Sequence, residues 1–150
     1  MVAPAAGADS QPPMLTSLGI DIIETNRIRQ ALERWPEMRA RLFTVREREY
    51  CEQKADPAAH YAARFAAKEA TAKAVGRWLR WQEVEVVSGE RNRPGLQLSG
   101  ESAEVAGIPQ GARLLLSLSH SREYAVAVVA RVGPEEAGGP AASTNQGGGA

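Results

Sequence analysis

Three polar features interrupt otherwise apolar stretches of this chain: Asp21 in a Leu/Ile-rich run, Glu69 in a helical run, and Ser119-His120-Ser121 between two β-rich runs. Asp21 and Glu69 are hard oxygen donors on separate elements. That pattern suits Mg²⁺, which takes one or two carboxylates and completes its shell with water and phosphate oxygens. Positive charge from Lys73, Arg64 and His120 would suit a polyphosphate. Each feature also has a plainer account. Glu69 and Lys73, four residues apart, can form an ordinary helix-surface pair worth about 0.2–0.5 kcal/mol. Asp21 can be a strand residue on a wet face or a turn former. A histidine at a hairpin corner is more often a turn residue than a ligand, and Ser with His but no placed acid is not a triad. Walker, HExxH, CxxC and GxGxxG patterns are missing from the sequence, which removes the common nucleotide and zinc signatures.

These side chains act together only if their elements hold them so. Residues 61–76 read as a long helix, because Ala, Arg, Lys and Glu dominate and no Pro interrupts them. Phe65, Glu69, Ala72 and Gly76 fall at i, i+4, i+7 and i+11, one stripe with a ring, a carboxylate and two small residues. A carboxylate buried there unpaired would be costly, so it needs a cation, a donor or water. Lys73, one turn on, is the obvious cation.

Residues 15–23 are the first strand, with Asp21 pointing to the opposite face from Ile20 and Ile22. Thr25 or Asn26 then caps a helix through residue 35, with Ile28, Leu32 and Trp35 as its apolar stripe. Arg27, Arg29 and Arg34 occupy its other faces, most simply a solvated surface. Pro36 ends that helix or starts the next short one, and Thr44-Val45-Arg46-Glu47 has capping-box spacing for another through about residue 54. Pro57 marks the break before the central helix. Beyond Gly76, the pattern gives a strand at 83–88, a turn at 92–95, a short strand at 96–98 and a short helix at 100–106. Residues 113–119 and 124–130, joined by a polar corner, make a hairpin. Strands and helices are partly segregated, which favours α+β.

With 150 residues and no internal repeat, the chain reads as one domain over 14–132, between an N-terminal extension (1–13) and a Gly/Ala/Ser tail (133–150), both expected to be disordered. Eighteen basic and eighteen acidic residues cancel, which removes a bulk drive toward nucleic acid. The single Cys51 forms no internal disulfide and fits a reducing compartment. No apolar run approaches a membrane span, and the N-terminus lacks the n- and h-regions of a signal peptide. A soluble cytoplasmic protein is expected.

The order of motifs adds a resemblance. Gly19-Ile20-Asp21-Ile22-Ile23-Glu24, then Phe43-Thr44-x-Arg46-Glu47-x-Glu49-Tyr50, then Arg64-Phe65-Ala66-Ala67-Lys68-Glu69-Ala70-x-x-Lys73-Ala74, then Leu116-Ser117-Leu118-Ser119-His120-Ser121-x-x-Tyr124-Ala125 resembles the holo-[acyl-carrier-protein] synthases, over residues 15–131. These are small 4′-phosphopantetheinyl transferases, which move the phosphopantetheine arm of coenzyme A onto a serine of apo acyl carrier protein and release 3′,5′-ADP. The resemblance implies an α+β fold with an antiparallel sheet packed on a long central helix, and homotrimers with sites between subunits. It implies Asp21 and Glu69 as Mg²⁺ ligands, and Lys73 beside the phosphates. Arg64, Gly76 and the Ser119-His120-Ser121 corner would lie on the coenzyme, and Arg27 would dock the acidic carrier protein. The serine's base is a metal-organised water or a carboxylate. The acceptor is a carrier protein of fatty-acid or polyketide synthesis. The segment Val75-Gly76-Arg77-Trp78-Leu79-Arg80-Trp81 keeps one glycine of the family's Gly-x-Gly turn and is shortened, so a non-catalytic coenzyme A or carrier-protein binding module of the same fold is the alternative reading.

Overall fold

A computed structural model describes residues 12–134, and most of the expected terminal disorder lies outside the described residues. The chain runs β1 (Met14–Glu24), α1 (Thr25–Arg34), α2 (Met38–Leu42), α3 (Val45–Glu52), α4 (Pro57–Val75), β2 (Val84–Ser88), β3 (Pro94–Leu98), α5 (Gly100–Ala106), β4 (Arg113–His120) and β5 (Tyr124–Gly133). Strands β1, β5 and β4 form an antiparallel sheet in that order, while β2 and β3 form a separate two-stranded ribbon. The fold is α+β, with the sheet packed on the long helix α4. β5 continues through Gly133, one residue into the expected tail, where it pairs with Met14 of β1.

Helix α4 begins with Pro57 in its first turn, where a missing N–H costs nothing. It ends at Gly76, whose φ of 72° is left-handed and whose N–H donates to the Ala72 carbonyl at 2.8 Å. Between these ends Ala62, Ala63, Ala66, Ala67, Ala70 and Ala74 are buried. Small side chains let the helix approach the sheet closely, with Ala66, Ala67, Ala70 and Ala74 packing against Ala127 and Val129 of β5. At β1 the approach is closer still: a Cβ on Gly19 would collide with the Ala70 carbonyl oxygen and lie 2.7 Å from the Ala74 nitrogen. Only glycine fits there.

Several local expectations give way to tertiary context. Neither Thr25 nor Asn26 caps α1; Glu24 holds the cap position without a side-chain bond, and Thr25 is buried with its N–H on the Glu123 carbonyl at 2.8 Å. Trp35 is exposed rather than part of the α1 stripe, and its ring stacks under Arg34. The capping box at Thr44 does form: Thr44 Oγ1 accepts from Glu47 N at 3.2 Å, and Glu47 Oε2 accepts from Thr44 N at 2.9 Å. The stripe of Phe65, Glu69, Ala72 and Gly76 is the less buried side of α4, not its core face.

Candidate active site

Strand alternation fixes where Asp21 goes. Leu18, Ile20 and Ile22 are 56%, 57% and 64% exposed on the outer face of β1, so Gly19, Asp21 and Ile23 turn toward α4. Asp21 is half-buried and reaches the helix: Lys73 Nζ donates to its Oδ1 at 3.0 Å and to the Ile20 carbonyl at 3.0 Å. Lys73 was expected to pair with Glu69, and instead it holds Asp21.

Glu69 lies one turn before Lys73 and opens into the same cavity as Asp21, about 460 Å³, which Phe65, Arg27, Glu24 and Tyr124 also line. Partial burial raises its carboxyl above the ordinary range, the Asp21 charge adds to this, and Lys73 opposes it. The cavity is therefore short of positive charge with respect to its carboxylates. Among the described residues no third carboxylate, His or Cys joins them in a metal-holding group. Two oxygen donors with an unneutralised charge fit a dication that takes its remaining ligands from water and phosphate.

A second cavity, about 230 Å³, opens on the other side of α4. The register places Asp21 opposite Ala127, and Ala127 opposite Leu118, two residues before His120. Asp21 and His120 thus sit near opposite edges of the same sheet face, with β5 between them. Arg64 is only 7% exposed, its guanidinium carbon lies 3.9 Å from the Tyr50 ring centroid, and its Nε finds no hydrogen-bond partner. The His60 ring stands 5.7 Å from Tyr50 and 5.2 Å from His120. Asn92, Ser88 and Pro94 close the cavity from the β2–β3 ribbon.

Of the sequence-selected residues, Asp21, Glu69 and Arg27 line the first cavity, with Lys73 bound to Asp21; Arg64 and His120 line the second. Ser119 points to the outer sheet face by alternation. Ser121 holds the hairpin corner, its Oγ accepting from Glu123 N at 3.3 Å and Tyr124 N at 3.2 Å. Gly76 is exposed beyond the end of α4. Neither serine nor Gly76 lines either of these two cavities.

Two features escaped sequence reasoning. Lys68, adjacent to Glu69, is wholly buried and pairs with Glu47 Oε2 at 2.9 Å; its Nζ also donates to the carbonyls of Trp81, at 2.7 Å, and Val84. The motif lysine is thus a strut between α3, α4 and β2. His60 belongs to none of the sequence motifs. Its spacing was the available signal: His60, Arg64 and Lys68 at i, i+4 and i+8 share one face of α4.

Comparison with known proteins places the chain in a family. The 4′-phosphopantetheinyl transferase superfamily model matches residues 17–129. That match defines the class. Among relatives, the holo-[acyl-carrier-protein] synthase of Syntrophotalea carbinolica is 45% identical over 78% of this chain and 95% of its own length, and that of Geobacter metallireducens is 43% identical over 77% and 96%. The crystal structure of the holo-(acyl-carrier-protein) synthase from Bacillus anthracis, in complex with CoA (3′,5′-ADP), aligns with a TM-score of 0.66 at 34% identity, covering 81% of this chain and 99% of that one. The Plasmodium yoelii holo-ACP synthase aligns with a TM-score of 0.71 at 27% identity, over 83% and 100%. The chain belongs to the holo-[acyl-carrier-protein] synthases, a family of enzymes.

Proposed function

We propose that this enzyme transfers the 4′-phosphopantetheine group of coenzyme A to a serine of an apo acyl carrier protein, in a Mg²⁺-dependent reaction that yields holo-carrier protein and 3′,5′-ADP. The observation that carries the reading is the pairing of Asp21 with Glu69 in one cavity, with Lys73 bound to Asp21. Asp21 and Glu69 would hold the dication, which when bound supplies neutralisation of charge on the pyrophosphate as its bridging bond breaks. The serine hydroxyl gives its proton to a carboxylate of the cavity or to an ordered water, its Oγ forms the new bond to phosphorus, the bond to the bridging oxygen breaks, and that oxygen leaves with 3′,5′-ADP. Lys73, anchored by Asp21 and the Ile20 carbonyl, presents its ammonium at the same mouth and can donate to phosphate oxygens there. Arg64 and His120 supply a cationic and hydrogen-bonding wall for the nucleotide end, including its 3′-phosphate.

The two walls lie on opposite sides of α4, which supports a homotrimer whose site is completed between subunits: Asp21 and Glu69 from one protomer would face His120 of another. The exposed apolar sheet face of Leu18, Ile20, Ile22 and Leu115 is the surface such an assembly would cover. Exposed Arg27, on the rim of the acidic cavity, suits docking of an acidic carrier protein by steering that salt would weaken. Among the described residues no helix is long and apolar enough to cross a membrane, in keeping with a cytoplasmic enzyme.

The test is intact-mass spectrometry of apo carrier protein incubated with this enzyme, coenzyme A and Mg²⁺, beside an EDTA control. A gain of one phosphopantetheinyl group, abolished by EDTA, is the expected result. Coenzyme A binding without any mass gain, across both fatty-acid and polyketide carriers, would overturn it.

A further inference from the structure

We propose that His60 is a third ligand, beside Arg64 and His120, for a phosphate monoester in the cavity behind α4, and that it makes this cavity selective for the 3′-phosphorylated form of the nucleotide. The inference rests on the reading above, and it adds a residue that no motif assigns. Its basis is geometric. Tyr50, His60 and His120 form a continuous column of rings at 5.7 and 5.2 Å, standing along one wall of a cavity of about 230 Å³. Arg64 is more than nine-tenths buried at the same wall, stacked on Tyr50, with its Nε unpartnered. A buried guanidinium donor without an acceptor is costly to maintain and is satisfied when an anion enters. The two imidazoles line the same cavity and can share that anion, with the Asn92 amide on the facing ribbon.

Two cations, one carboxylate and a second imidazole face His60. Arg64 shares its helix, Lys54 and Asp56 lie on the connection preceding α4, and His120 reaches it from β4. Burial first, then His120, Arg64 and Lys54, hold the His60 imidazole below its ordinary titration range, with Asp56 opposing. In the free enzyme His60 is therefore neutral at physiological pH. A dianionic monoester set among these groups reverses the local field and favours the protonated ring. Binding of the 3′-phosphorylated nucleotide then takes up a proton, and its affinity weakens as pH rises through the bound-state titration. The phosphate's own second ionisation, near pH ~6, acts with the opposite sign, because raising the pH completes the dianion. A fall in affinity with rising pH thus points to the protein side of the contact.

The experiment is isothermal titration calorimetry of the full-length protein with Mg²⁺, using coenzyme A and 3′-dephospho-coenzyme A, which differ only in the monoester. Each titration is run from pH 6 to 8 in buffers of unequal ionisation enthalpy. Coenzyme A is expected to bind with uptake of a fraction of a proton up to about one, and its advantage over the dephospho form should shrink by up to ~10-fold per pH unit. His60→Phe keeps a flat ring between Tyr50 and His120. It should abolish the uptake, weaken coenzyme A by ~10-fold at pH 6, and leave dephospho-coenzyme A affinity and the unliganded Tm unchanged. The uptake measurement needs no variant, so a misfolded substitution would not shield the idea. Coenzyme A binding without proton uptake, or a His60→Phe enzyme that retains both the pH slope and the discrimination, would overturn the assignment. If phosphopantetheinyl transfer persists in that case, the proposed function stands and His60 alone loses its role. If the protein binds neither nucleotide, both fall.

Discussion

Replacing Lys68 with Met tests whether the lysine of the Arg64–Ala70 motif serves the fold. Lys68 Nζ meets Glu47 Oε2 at 2.9 Å, the Trp81 carbonyl at 2.7 Å and the Val84 carbonyl, with both charged side chains fully buried. Methionine fills nearly the same volume but leaves two carbonyls and a carboxylate facing apolar surface. Glu47 retains part of its solvation, because Thr44 N at 2.9 Å and Val86 N at 2.8 Å still donate to it. Removing one partner of a buried ion pair costs about 3–5 kcal/mol, a large share of the ~5–15 kcal/mol that a domain of this size has. With a urea m-value near ~2 kcal/mol/M, the unfolding midpoint should fall by roughly 1.5–2.5 M. The measurement is urea denaturation followed by circular dichroism at fixed protein concentration, since assembly would add to apparent stability. Glu47→Gln alone should also destabilise, and the double variant Glu47→Gln/Lys68→Met should cost less than the sum by ~1–3 kcal/mol. A Lys68→Met midpoint within about 0.5 M of the parent, with no coupling in the double variant, would refute the strut.

Glu69→Gln should lower phosphopantetheinyl transfer by ~10²-fold or more while the protein stays folded. Its carboxyl is held above the ordinary value of 4.5, so the folded state keeps this proton longer than the unfolded chain does. The group therefore opposes folding increasingly as pH rises past 4.5, and the Mg²⁺-induced rise in Tm should be larger at pH 7 than at pH 5 and lost in the glutamine variant. Gly19→Ala should cost roughly 1–3 kcal/mol in urea denaturation, because its methyl group would meet the backbone of Ala70 and Ala74; an unchanged midpoint would show that α4 is free to recede. If the proposed homotrimer forms, Ile22→Lys on the exposed outer face of β1 should leave each protomer folded and shift sedimentation of that assembly toward monomer; an unchanged sedimentation profile would refute an interface on this face.

What the sequence revealed was local, and what it hid was long-range. The Thr44–Glu47 capping box, the hairpin and the body of α4 follow from neighbours in the chain, and each forms, although α4 starts at Pro57 rather than at residue 61. Alternation along β1 correctly separated Asp21 from Ile20 and Ile22, but it could not say which face α4 would cover. The isoleucines prove to be the outer face, and the aspartate the inner one. Likewise, Glu69 and Lys73 are spaced for a helix-surface pair, yet Lys73 meets Asp21, because the close approach of β1 at Gly19 brings that carboxylate within reach. No neighbour of Lys68 in the chain marks it as buried, because its partner Glu47 comes from another helix. Ser119 and Ser121 flank His120 in the chain, yet strand geometry sends one outward and turn geometry occupies the other.

The contact at Gly19 also governs precision. Asp21 rides on a strand whose main chain touches the main chain of α4 at Ala70 and Ala74, and Glu69 is the residue next to Ala70. The separation of the two carboxylates is thus gauged by peptide against peptide, with no compressible side chain in the gap. Repacking the far side of the core should leave that gauge untouched, whereas a one-residue insertion between Gly19 and Asp21 would send the aspartate to the opposite face of the sheet. The alignment of the two carboxylates would then be lost, and Ile23, two residues further on and packed on the core, would be displaced with it. Directed evolution of acceptor or coenzyme preference has the most freedom in the α1 surface and the loop after Gly76, and almost none in the three residues from Gly19 to Asp21.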